Sequence, residues 1–452
     1  MFTHLHLHSE YSLLDATIRL PALVSKLQES GMKACALTDH GNMYGALKFK
    51  NVMKEAGLKA ILGCEIYIAP RAMNKKDYGI DNKYNHMVLL AKDLQGYRNL
   101  VKIVSIAHMD GFYYKPRIDF ETLSKYSEGL IALSGCLAGT VSKPLLENNY
   151  GLALENAKKY SELFKDNYFI ELMRNGMPEQ DIVNEGLLKI SKELNLPLVA
   201  TCDSHYLNRE DADIQEVLWC IADGKTWDNP TRRRMPTNEF YVKTPKEMED
   251  LFKDIPQAIE NTQKIVDMIE DFDITFGRVE PKFLDLPKGY TSERYLKELT
   301  LKGAKLKYGK ITKELKERIE YELKIINDKM YNDYFLVVRD FVIFCRANGI
   351  VVGMRGSGCG SVVAYCVDIT DLEPISWELY FERFLNPERD SPPDFDIDIA
   401  DQRRDELLEY TIKKYGLENV KQIGTFSKLQ TRQAIKDVGR VLGIELDRKS
   451  VV

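Results

Sequence analysis

The sequence predicts an α/β fold for about the first 205 residues and a mainly helical region, with one glycine-rich loop and one acidic strand, in the later part. In the first part, short apolar runs alternate with stretches that are apolar at every third or fourth residue. That alternation is typical of β-α-β units around a parallel sheet or barrel. In the second part, a long helical pattern precedes a glycine-rich loop and an acidic strand.

The predicted elements of the first part follow one another in this order. The apolar runs that favour strands are residues 34–37, 60–62, 87–90, 130–133 and 196–200. The ranges 20–29 and 152–164, which lie between such runs, have the apolar spacing of amphipathic helices.

A domain boundary is predicted near residues 270–290, where Pro281, Pro287 and Gly289 interrupt the pattern. Thr291 then has the character of a helix N-cap. Beyond it lie a helical range at 293–348, a glycine-rich loop at 353–361, an acidic strand at 394–399 and a helical pattern from Thr425. The predicted domains are therefore residues 1–270, 271–426 and 427–452.

The bulk composition is that of a globular chain, with 452 residues of which 44% are apolar and 29% charged. No uncharged apolar window of about 18 residues occurs, so no membrane span is expected. The start has no basic region before an apolar run, and the eight cysteines form no CxxC pair, which together predict reduced thiols in the cytoplasm. With a formal charge of −5, nucleic-acid contact would need local basic patches, for which 232–234 and 428–440 are candidates.

Side chains that bind metal ions concentrate at the ends of the predicted strands. His4, His6 and His8 alternate along what the pattern predicts to be a first strand, so their imidazoles share one face. The remaining candidates at strand ends are Asp39-His40, Glu65, His86, Cys136 and Asp203-x-His205. Strand ends of a β/α barrel converge on one rim, and these ligand types suit zinc or manganese. A multinuclear metal site is therefore predicted, although a structural role stays open for His4, His108 and Cys136.

This pattern resembles the PHP (polymerase and histidinol phosphatase) family. The resemblance implies a distorted (β/α)₇ barrel with a Zn²⁺ or Mn²⁺ cluster of two or three ions that cleaves phosphate esters. The ligands that it implies are His6, His8, Asp15, His40, Glu65, His86, Cys136, Asp203 and His205.

A second candidate site combines the glycine-rich loop with the acidic strand. Asp394, Asp396 and Asp398 alternate with apolar residues and so share one face of a strand, which is unfavourable without a cation such as Mg²⁺. The loop at 353–361 leads into a helix at 361–367, and backbone N–H groups in such a loop can approach a phosphate. A plain turn and a solvated acidic edge strand are the alternatives.

The sequence motifs of this region resemble those of the bacterial DNA polymerase III alpha subunits, the C-family polymerases. The motifs are GMRGSGCGS at 353–361, FERFLNPER at 381–389 and PDFDIDI at 393–399, followed by GTF at 424–426 and DVGRVLG at 437–443. The resemblance covers essentially the whole chain and includes an N-terminal PHP domain. It implies a polymerase-beta-like α+β palm and the beginning of a helical thumb.

The same resemblance implies the roles of individual residues. Asp396 and Asp398 would bind catalytic Mg²⁺ at the palm, for attack of a primer 3′-hydroxyl on a deoxynucleoside triphosphate. The triphosphate contacts would be Arg355, Gly356, Ser357, Gly360 and Ser361. The implied partners are primer-template DNA and other replicase subunits, namely the sliding clamp, the clamp loader and a proofreading subunit.

Members of this family are longer and carry a third palm carboxylate beyond the thumb. We therefore expect this chain to act as an N-terminal fragment that polymerises poorly, with a complete PHP site that retains 3′–5′ exonuclease or phosphoesterase activity. The alternatives are a free-standing PHP phosphatase, which leaves residues 353–443 unexplained, and a non-catalytic replisome scaffold with a structural metal cluster.

Overall fold

A computed structural model of the chain describes residues 2–275, 277, 279–388 and 392–444. The chain divides into two compact units, residues 1–275 together with 428–452, and residues 276–427. Arg389 and residues 445–452, which belong to predicted motifs or domains, lie outside the described residues. All eight cysteines are free thiols.

The first unit is built on a curled sheet. Its strands are β1 (Ala34–Leu37), β2 (Lys59–Ile68), β3 (Asn85–Ala91), β4 (Phe112–Tyr113), β5 (Lys115–Ile118), β6 (Leu130–Leu133), β7 (Tyr168–Met173) and β8 (Leu198–Thr201). The apolar runs at 34–37 and 130–133 form strands with the predicted bounds, and the other three runs lie wholly or mostly within β2, β3 and β8.

Six of these strands and the extended segment 4–8 form a closed ring. Neighbouring strands pair in the order β1-β2-β3-β6-β7-β8, with β3 antiparallel to both of its neighbours and the other pairs parallel. Segment 4–8 closes the ring because His4 and Leu7 carbonyls accept from β1 and its continuation, while His8 N–H donates to Ser204 beyond β8. The fold is therefore the distorted seven-membered α/β barrel that the resemblance to the PHP family implied.

One element differs from its prediction. Segment 4–8 is not a regular strand, since it makes a single bridge between Leu7 and Ser204. Its alternation is nevertheless present, because Leu5 and Leu7 are fully buried in two apolar clusters. The segment is held in an extended form by two backbone hydrogen bonds to each neighbour instead of by a continuous ladder.

Helices cover the outside of the barrel. They are α1 (Leu20–Glu29), α2 (Ala46–Glu55), α3 (Leu94–Met109), α4 (Phe120–Lys125), α5 (Ser142–Leu146), α6 (Tyr150–Phe164), α7 (Pro178–Leu194), α8 (Ala212–Asp223), α9 (Pro245–Leu251) and α10 (Pro256–Met268). In α1 the buried side chains are Leu20, Leu23, Val24 and Leu27, the spacing of one helical face.

The second unit is mainly helical in its described residues. Its elements are α11 (Ser292–Tyr308), α12 (Lys313–Asp328), α13 (Asn332–Ala347), β9 (Val352–Arg355), α14 (Val362–Cys366), β10 (Asp396–Ile399) and α15 (Arg404–Tyr415). The predicted N-cap at Thr291 is confirmed, since its hydroxyl accepts from the N–H of Arg294 at 3.2 Å. β9 and β10 form a two-stranded antiparallel sheet.

Helix α16 (Thr431–Val441), within the range predicted to be helical, lies in the first unit and contacts α8. No helix in the described ranges combines the length and apolar composition that crossing a bilayer requires.

Candidate functional site

The nine ligands implied by the sequence meet at one end of the barrel. His6 and His8 lie in segment 4–8, and His40 follows β1. Glu65 lies on β2 and His86 on β3. An isolated β-bridge pairs His40 with Glu65. Beyond β6 and β8 lie Cys136, Asp203 and His205, and Asp15 ends the turn that leads from segment 4–8 to α1.

Glu65 is the centre of this cluster. Its carboxylate oxygens lie 2.5 Å from His40 Nδ1, 3.0 Å from His86 Nδ1 and 3.4 Å from His6 Nε2. The Cys136 sulfur lies 3.8 Å from the same carboxylate. One buried carboxylate therefore contacts ligand atoms from four separate parts of the chain.

Asp203 forms the second centre. Its Oδ1 lies 3.1 Å from His8 Nε2, 3.3 Å from His6 Nε2 and 3.5 Å from His205 Nδ1. Its backbone is left-handed, with φ of 51°, a region that Asp adopts more readily than most residues other than glycine. This conformation is part of what aims the carboxylate at the imidazoles.

His40 links the two centres to Asp15. Its Nε2 lies 3.4 Å from His205 Nε2 and 3.5 Å from Asp15 Oδ2, and its ring stacks on His8 with centroids 3.9 Å apart. Among the described residues, three triads of this cluster have ligand atoms that all lie within 4.8 Å of one another. These triads are His8-His40-His205, His6-His8-Asp203 and Glu65-His86-Cys136.

Several buried atoms of the cluster lie at ion-pair distance from one another but make no hydrogen bond of acceptable geometry in the described part of the chain. They are His6 Nε2, His8 Nε2, His40 Nδ1, Glu65 Oε2 and Asp203 Oδ1. Unpaired buried polar atoms are rare because each costs about 1–3 kcal/mol. These five atoms face one small volume and lie 2.5–3.8 Å from one another's side chains. Such an arrangement fits the donor set of a metal cluster.

The carboxylates of the cluster are held in the charged form. Burial favours protonation of Glu65, but His86 and His40 outweigh it and hold the pKa of that carboxyl well below its ordinary value. Burial likewise opposes the charge on Asp203, and His6 lowers the pKa of Asp203 nevertheless. Charged oxygens are the form in which carboxylates bind metal ions.

The imidazoles divide into two kinds. Burial disfavours a charge on His6, but Asp203 and Glu171 hold its pKa well above its ordinary value. Burial and the neighbouring ring of His40 lower the pKa of His8 to about 3, so His8 is neutral and ready to act as a ligand. The proton on His6 places a positive charge beside the two carboxylates, and a bound metal ion would provide that charge in its place.

Glu171 supports the cluster from behind, and the sequence analysis missed it. Its Oε1 lies 2.8 Å from His6 Nδ1 and accepts from the Thr201 hydroxyl at 2.5 Å, while its Oε2 accepts from Gly135 N–H at 2.9 Å. Because Nδ1 donates to Glu171, Nε2 is the nitrogen that faces the cluster, and it is the one that would give up its proton to a metal ion. The signal was a single acid in the otherwise apolar and fully buried strand β7.

Asp39 and Ser12 form a second support. Asp39 accepts from the Ser12 hydroxyl at 2.7 Å and from the backbone N–H of Ser9 at 2.7 Å. The Ser12 oxygen in turn lies 3.2 Å from His8 Nδ1 and accepts from His40 N–H at 3.1 Å. Asp39 therefore positions ligands although it is not one of the nine.

Asp15 is oriented by the segment after β8. Trp219 Nε1 donates to Asp15 Oδ1 at 2.5 Å, and Arg233 lies 3.7 Å from the same oxygen. Arg233 also pairs with Asp223, and Arg232 is buried against Glu216. Two arginines of the predicted basic patch 232–234 are thus engaged within the protein.

The two histidines excluded from the ligand set lie outside the cluster. His4 Nε2 is 2.8 Å from the Lys243 carbonyl, and burial lowers its pKa to about 4. His108 Nε2 is 2.9 Å from the Gly41 carbonyl. Both imidazoles therefore bind the backbone.

In the second unit, Asp396 and Asp398 lie on β10 opposite β9. Arg355 is the register partner of Asp396, and its guanidinium lies 3.5 Å from Asp396 Oδ2 and 3.2 Å from Asp398 Oδ2. A Cβ atom on Gly356, where φ is +77°, would lie 2.6 Å from Asp396 Oδ2. The strand pair therefore presents two carboxylates and one guanidinium on an exposed face.

The glycine-rich loop is exposed at Arg355, Gly356 and Ser357 but buried from Gly358 to Ser361. Ser361 is fully buried, and its hydroxyl donates to Glu322 Oε2 at 2.8 Å.

Glu322 was also missed by the sequence analysis. Its carboxylate accepts from the N–H groups of Val362 and Val363, both at 3.0 Å, and so occupies the start of α14. Arg318 pairs with Glu322 and donates to the Gly360 carbonyl at 3.0 Å. The expected contact of a triphosphate with Gly360 and Ser361 does not fit this geometry, because the chain's own carboxylate already binds the helix start.

Two family models match the chain. A model described as the PHP domain matches residues 4–175, and one described as the bacterial DNA polymerase III alpha NTPase domain matches residues 294–452. A solved two-domain protein from Bacteroides vulgatus, whose title describes a predicted PHP-like metal-dependent phosphoesterase, overlaps with a TM-score of 0.28 at 14% identity over 48% of this chain and 55% of that chain.

Curated relatives match almost the whole chain. DNA polymerase III subunit alpha of Borreliella burgdorferi is 46% identical over 446 residues, which are 98% of this chain and 39% of the relative. The subunit of the same name from Treponema pallidum is 44% identical over 449 residues, 98% of this chain and 38% of the relative. The chain thus spans about two fifths of the length of these relatives, and it belongs to the family of bacterial DNA polymerase III alpha subunits.

Proposed function

We propose that the chain serves in the catalytic subunit of a bacterial replicative DNA polymerase and that its first unit is a metal-dependent phosphoesterase. Its activity would be removal of nucleotides from a DNA strand in the 3′–5′ direction. The observation that carries this proposal is the cluster of nine side chains, in which five buried atoms lie within 3.8 Å of one another's groups without a hydrogen bond of acceptable geometry among the described residues.

The donor set suits Zn²⁺ or Mn²⁺, since it combines imidazole nitrogens, carboxylate oxygens and one thiol. Glu65 and Asp203 contribute charge from the centre, and the histidines surround them. When bound, a pair of such ions supplies an activated water and neutralises charge on the attacking and leaving oxygens of a phosphodiester. Glu171 and Asp39 keep the imidazoles aimed at the cluster.

The test is hydrolysis of a 3′-end-labelled single-stranded oligodeoxynucleotide by the 452-residue chain with Mn²⁺ or Zn²⁺. Mononucleotides should be released, and His8→Ala should abolish the release. If His8→Ala loses bound metal while the rate of hydrolysis stays the same, the cluster is structural, as the scaffold alternative requires. A free-standing phosphatase is disfavoured because residues 294–452 match the polymerase model.

For the second unit we propose that Asp396 and Asp398 bind the Mg²⁺ ions of nucleotidyl transfer. Arg355, Gly356 and Ser357 would contact the incoming triphosphate, whereas Gly360 and Ser361 support the loop from inside. Asp396→Asn in a subunit that carries this sequence should abolish primer extension while leaving hydrolysis by the first unit intact. Primer-template DNA, the sliding clamp, the clamp loader and a proofreading subunit stay predicted partners, and the cytoplasm stays the predicted location.

A further inference from the structure

We propose that two surface loops beside the metal cluster form a binding surface for a single-stranded polynucleotide. The surface consists of residues 71–83, between β2 and β3, and residues 111–115, at the β4-β5 hairpin. The inference rests on the proposed function, because a strand bound there would lead into the phosphoesterase cluster. No ligand of the cluster belongs to this surface.

The surface adjoins the cluster through Tyr67. This ring lies 5.1 Å from the ring of His86 and 6.4 Å from the ring of His40. The Lys115 ammonium lies 5.5 Å from the centroid of Tyr67, on the side of the hairpin. Tyr84, which follows the first loop, lies parallel to His86 with centroids 5.9 Å apart. A phosphate at the cluster would therefore be within reach of both loops.

Arg117 fixes the two loops to each other. Its guanidinium is fully buried and donates to the carbonyls of Gly111 at 3.2 Å, Met73 at 3.1 Å and Lys75 at 3.2 Å. It also donates to the carbonyl of Asp81. Residues 71–83 are therefore anchored to the hairpin, although their outer side chains are exposed.

The charge of the surface suits a polyanion. Lys75, Lys76 and Lys83 are exposed, and no carboxylate lies within ion-pair distance of them in the ranges that the structure describes. The two acids of the loop, Asp77 and Asp81, are paired with Arg71. The loop thus offers unpaired cations, while its acidic groups are neutralised.

Exposed aromatic rings accompany these cations. Tyr78 is 80% exposed, Tyr114 60% and Phe112 51%. Proteins that bind single strands commonly combine exposed aromatic rings with lysines. Successive bases stack on the rings, since every base has a flat face. A duplex hides those faces in its own stack, which is why we commit to a single strand.

The test is fluorescence anisotropy with a labelled oligothymidylate of about 20 nucleotides, mixed with the 452-residue chain in the presence of EDTA so that nothing is cut. Tyr78→Ala combined with Tyr114→Ala should weaken binding about tenfold or more, because each stacked base contributes substantially. Tyr78→Phe combined with Tyr114→Phe should bind as the parent does, since the rings remain.

Charge is tested separately. Replacing Lys75 and Lys76 with Gln should lower the slope of log affinity against log salt by about 1.4, the contribution of two contacts with single-stranded phosphates. Lys158→Gln with Lys192→Gln, on exposed positions of α6 and α7, is the matched control and should leave the slope unchanged. Equal binding by the alanine pair and the parent, or equally tight binding of a duplex, would overturn the proposal.

Binding and cutting are separable in a variant of the metal cluster. His8→Ala should bind the oligonucleotide as the parent does and fail to cut it. If the parent binds through the tyrosines but never cuts, the phosphoesterase assignment fails and the binding surface stands. If the parent cuts and the tyrosines make no difference to binding, the surface is wrong and the phosphoesterase assignment stands.

Discussion

Replacing Glu171 with Gln tests whether the buried support behind the cluster sets its affinity for metal. The glutamate accepts on both oxygens: Oε1 faces His6 Nδ1 at 2.8 Å, and Oε2 faces Gly135 N–H at 2.9 Å. A glutamine has one accepting oxygen and one donating nitrogen in the same volume. It can therefore satisfy only one of these two partners.

Either orientation of the glutamine has a cost. If its oxygen faces His6, its amide nitrogen opposes the N–H of Gly135, and a buried donor is left unpaired. If its nitrogen faces His6, Nδ1 must accept and Nε2 carries the proton, so Nε2 no longer offers a lone pair to a metal. An unpaired buried group costs about 1–3 kcal/mol, and loss of a residue that orients a metal ligand typically weakens metal binding about 10–100-fold.

The assay is competition between the chain and a chelator of known affinity for Zn²⁺ or Mn²⁺. Glu171→Gln should weaken metal binding by about 10–100-fold. Glu185→Gln, at an exposed position of α7, is the matched control and should bind metal as the parent does. Parental affinity in a folded Glu171→Gln protein would refute the idea that Glu171 sets the tautomer of His6.

Three further outcomes are expected. Gly356→Ala should lower the free energy of unfolding by about 1–3 kcal/mol and weaken Mn²⁺ binding at Asp396, because the new Cβ meets that carboxylate in a backbone conformation that favours glycine. The free energy is measured by urea unfolding and the binding by metal titration. In Gly353→Ala, whose new Cβ meets nothing within 4 Å, both quantities should stay unchanged. Glu322→Ala should cost about 1–3 kcal/mol in the same unfolding assay, since it removes the acceptor of the Ser361 hydroxyl and of the buried N–H groups of Val362 and Val363, and an unchanged free energy of unfolding would contradict this account. The affinity of the first unit for metal should fall as pH drops from about 8 to 6. The reason is that the pKa of His6 is raised above its ordinary value of 6.5, so protons compete with the metal ion for this histidine already above that pH. An affinity that chelator competition finds independent of pH would contradict this prediction.

Much of the barrel was predictable because its strands are short apolar runs with clear ends. The runs at 34–37 and 130–133 match β1 and β6 residue for residue. Strand β7 was missed as a strand although it is apolar, since it directly follows α6 and a short turn. Segment 4–8 was predicted as a strand from its alternation, but alternation reports which side chains share a face and not whether a ladder forms.

That the side chains of the cluster meet at one end of the barrel was predictable because their residue types are uncommon and lie at strand ends. The supports behind the cluster were harder to predict, for different reasons. Glu171 gave a signal, as a lone acid in a buried strand. Glu322 gave none, because it lies in α12 among Lys and Glu residues that look like a solvated helix. Its burial depends on which part of the fold packs against it, and that information is not local in sequence.

The glycine-rich loop shows the opposite limit. Its pattern indicated a phosphate site at the start of α14, where helix N–H groups favour negative charge. The physical preference was correctly predicted, but the structure meets it with Glu322 from α12. A local sequence motif indicates that a helix start favours an anion. It does not indicate whether that anion is a bound phosphate or a carboxylate of the same protein.

The central claim is that nine side chains at one end of the barrel form a single multinuclear metal centre. Metal content measured by inductively coupled plasma mass spectrometry on the purified chain, beside a Glu65→Gln variant, tests it most directly. The account predicts about two or three Zn²⁺ or Mn²⁺ ions per chain. It also predicts that most of them are lost in Glu65→Gln, because Glu65 contacts ligand atoms from four parts of the chain. A chain without bound metal, or metal content that Glu65→Gln leaves unchanged, would contradict the account.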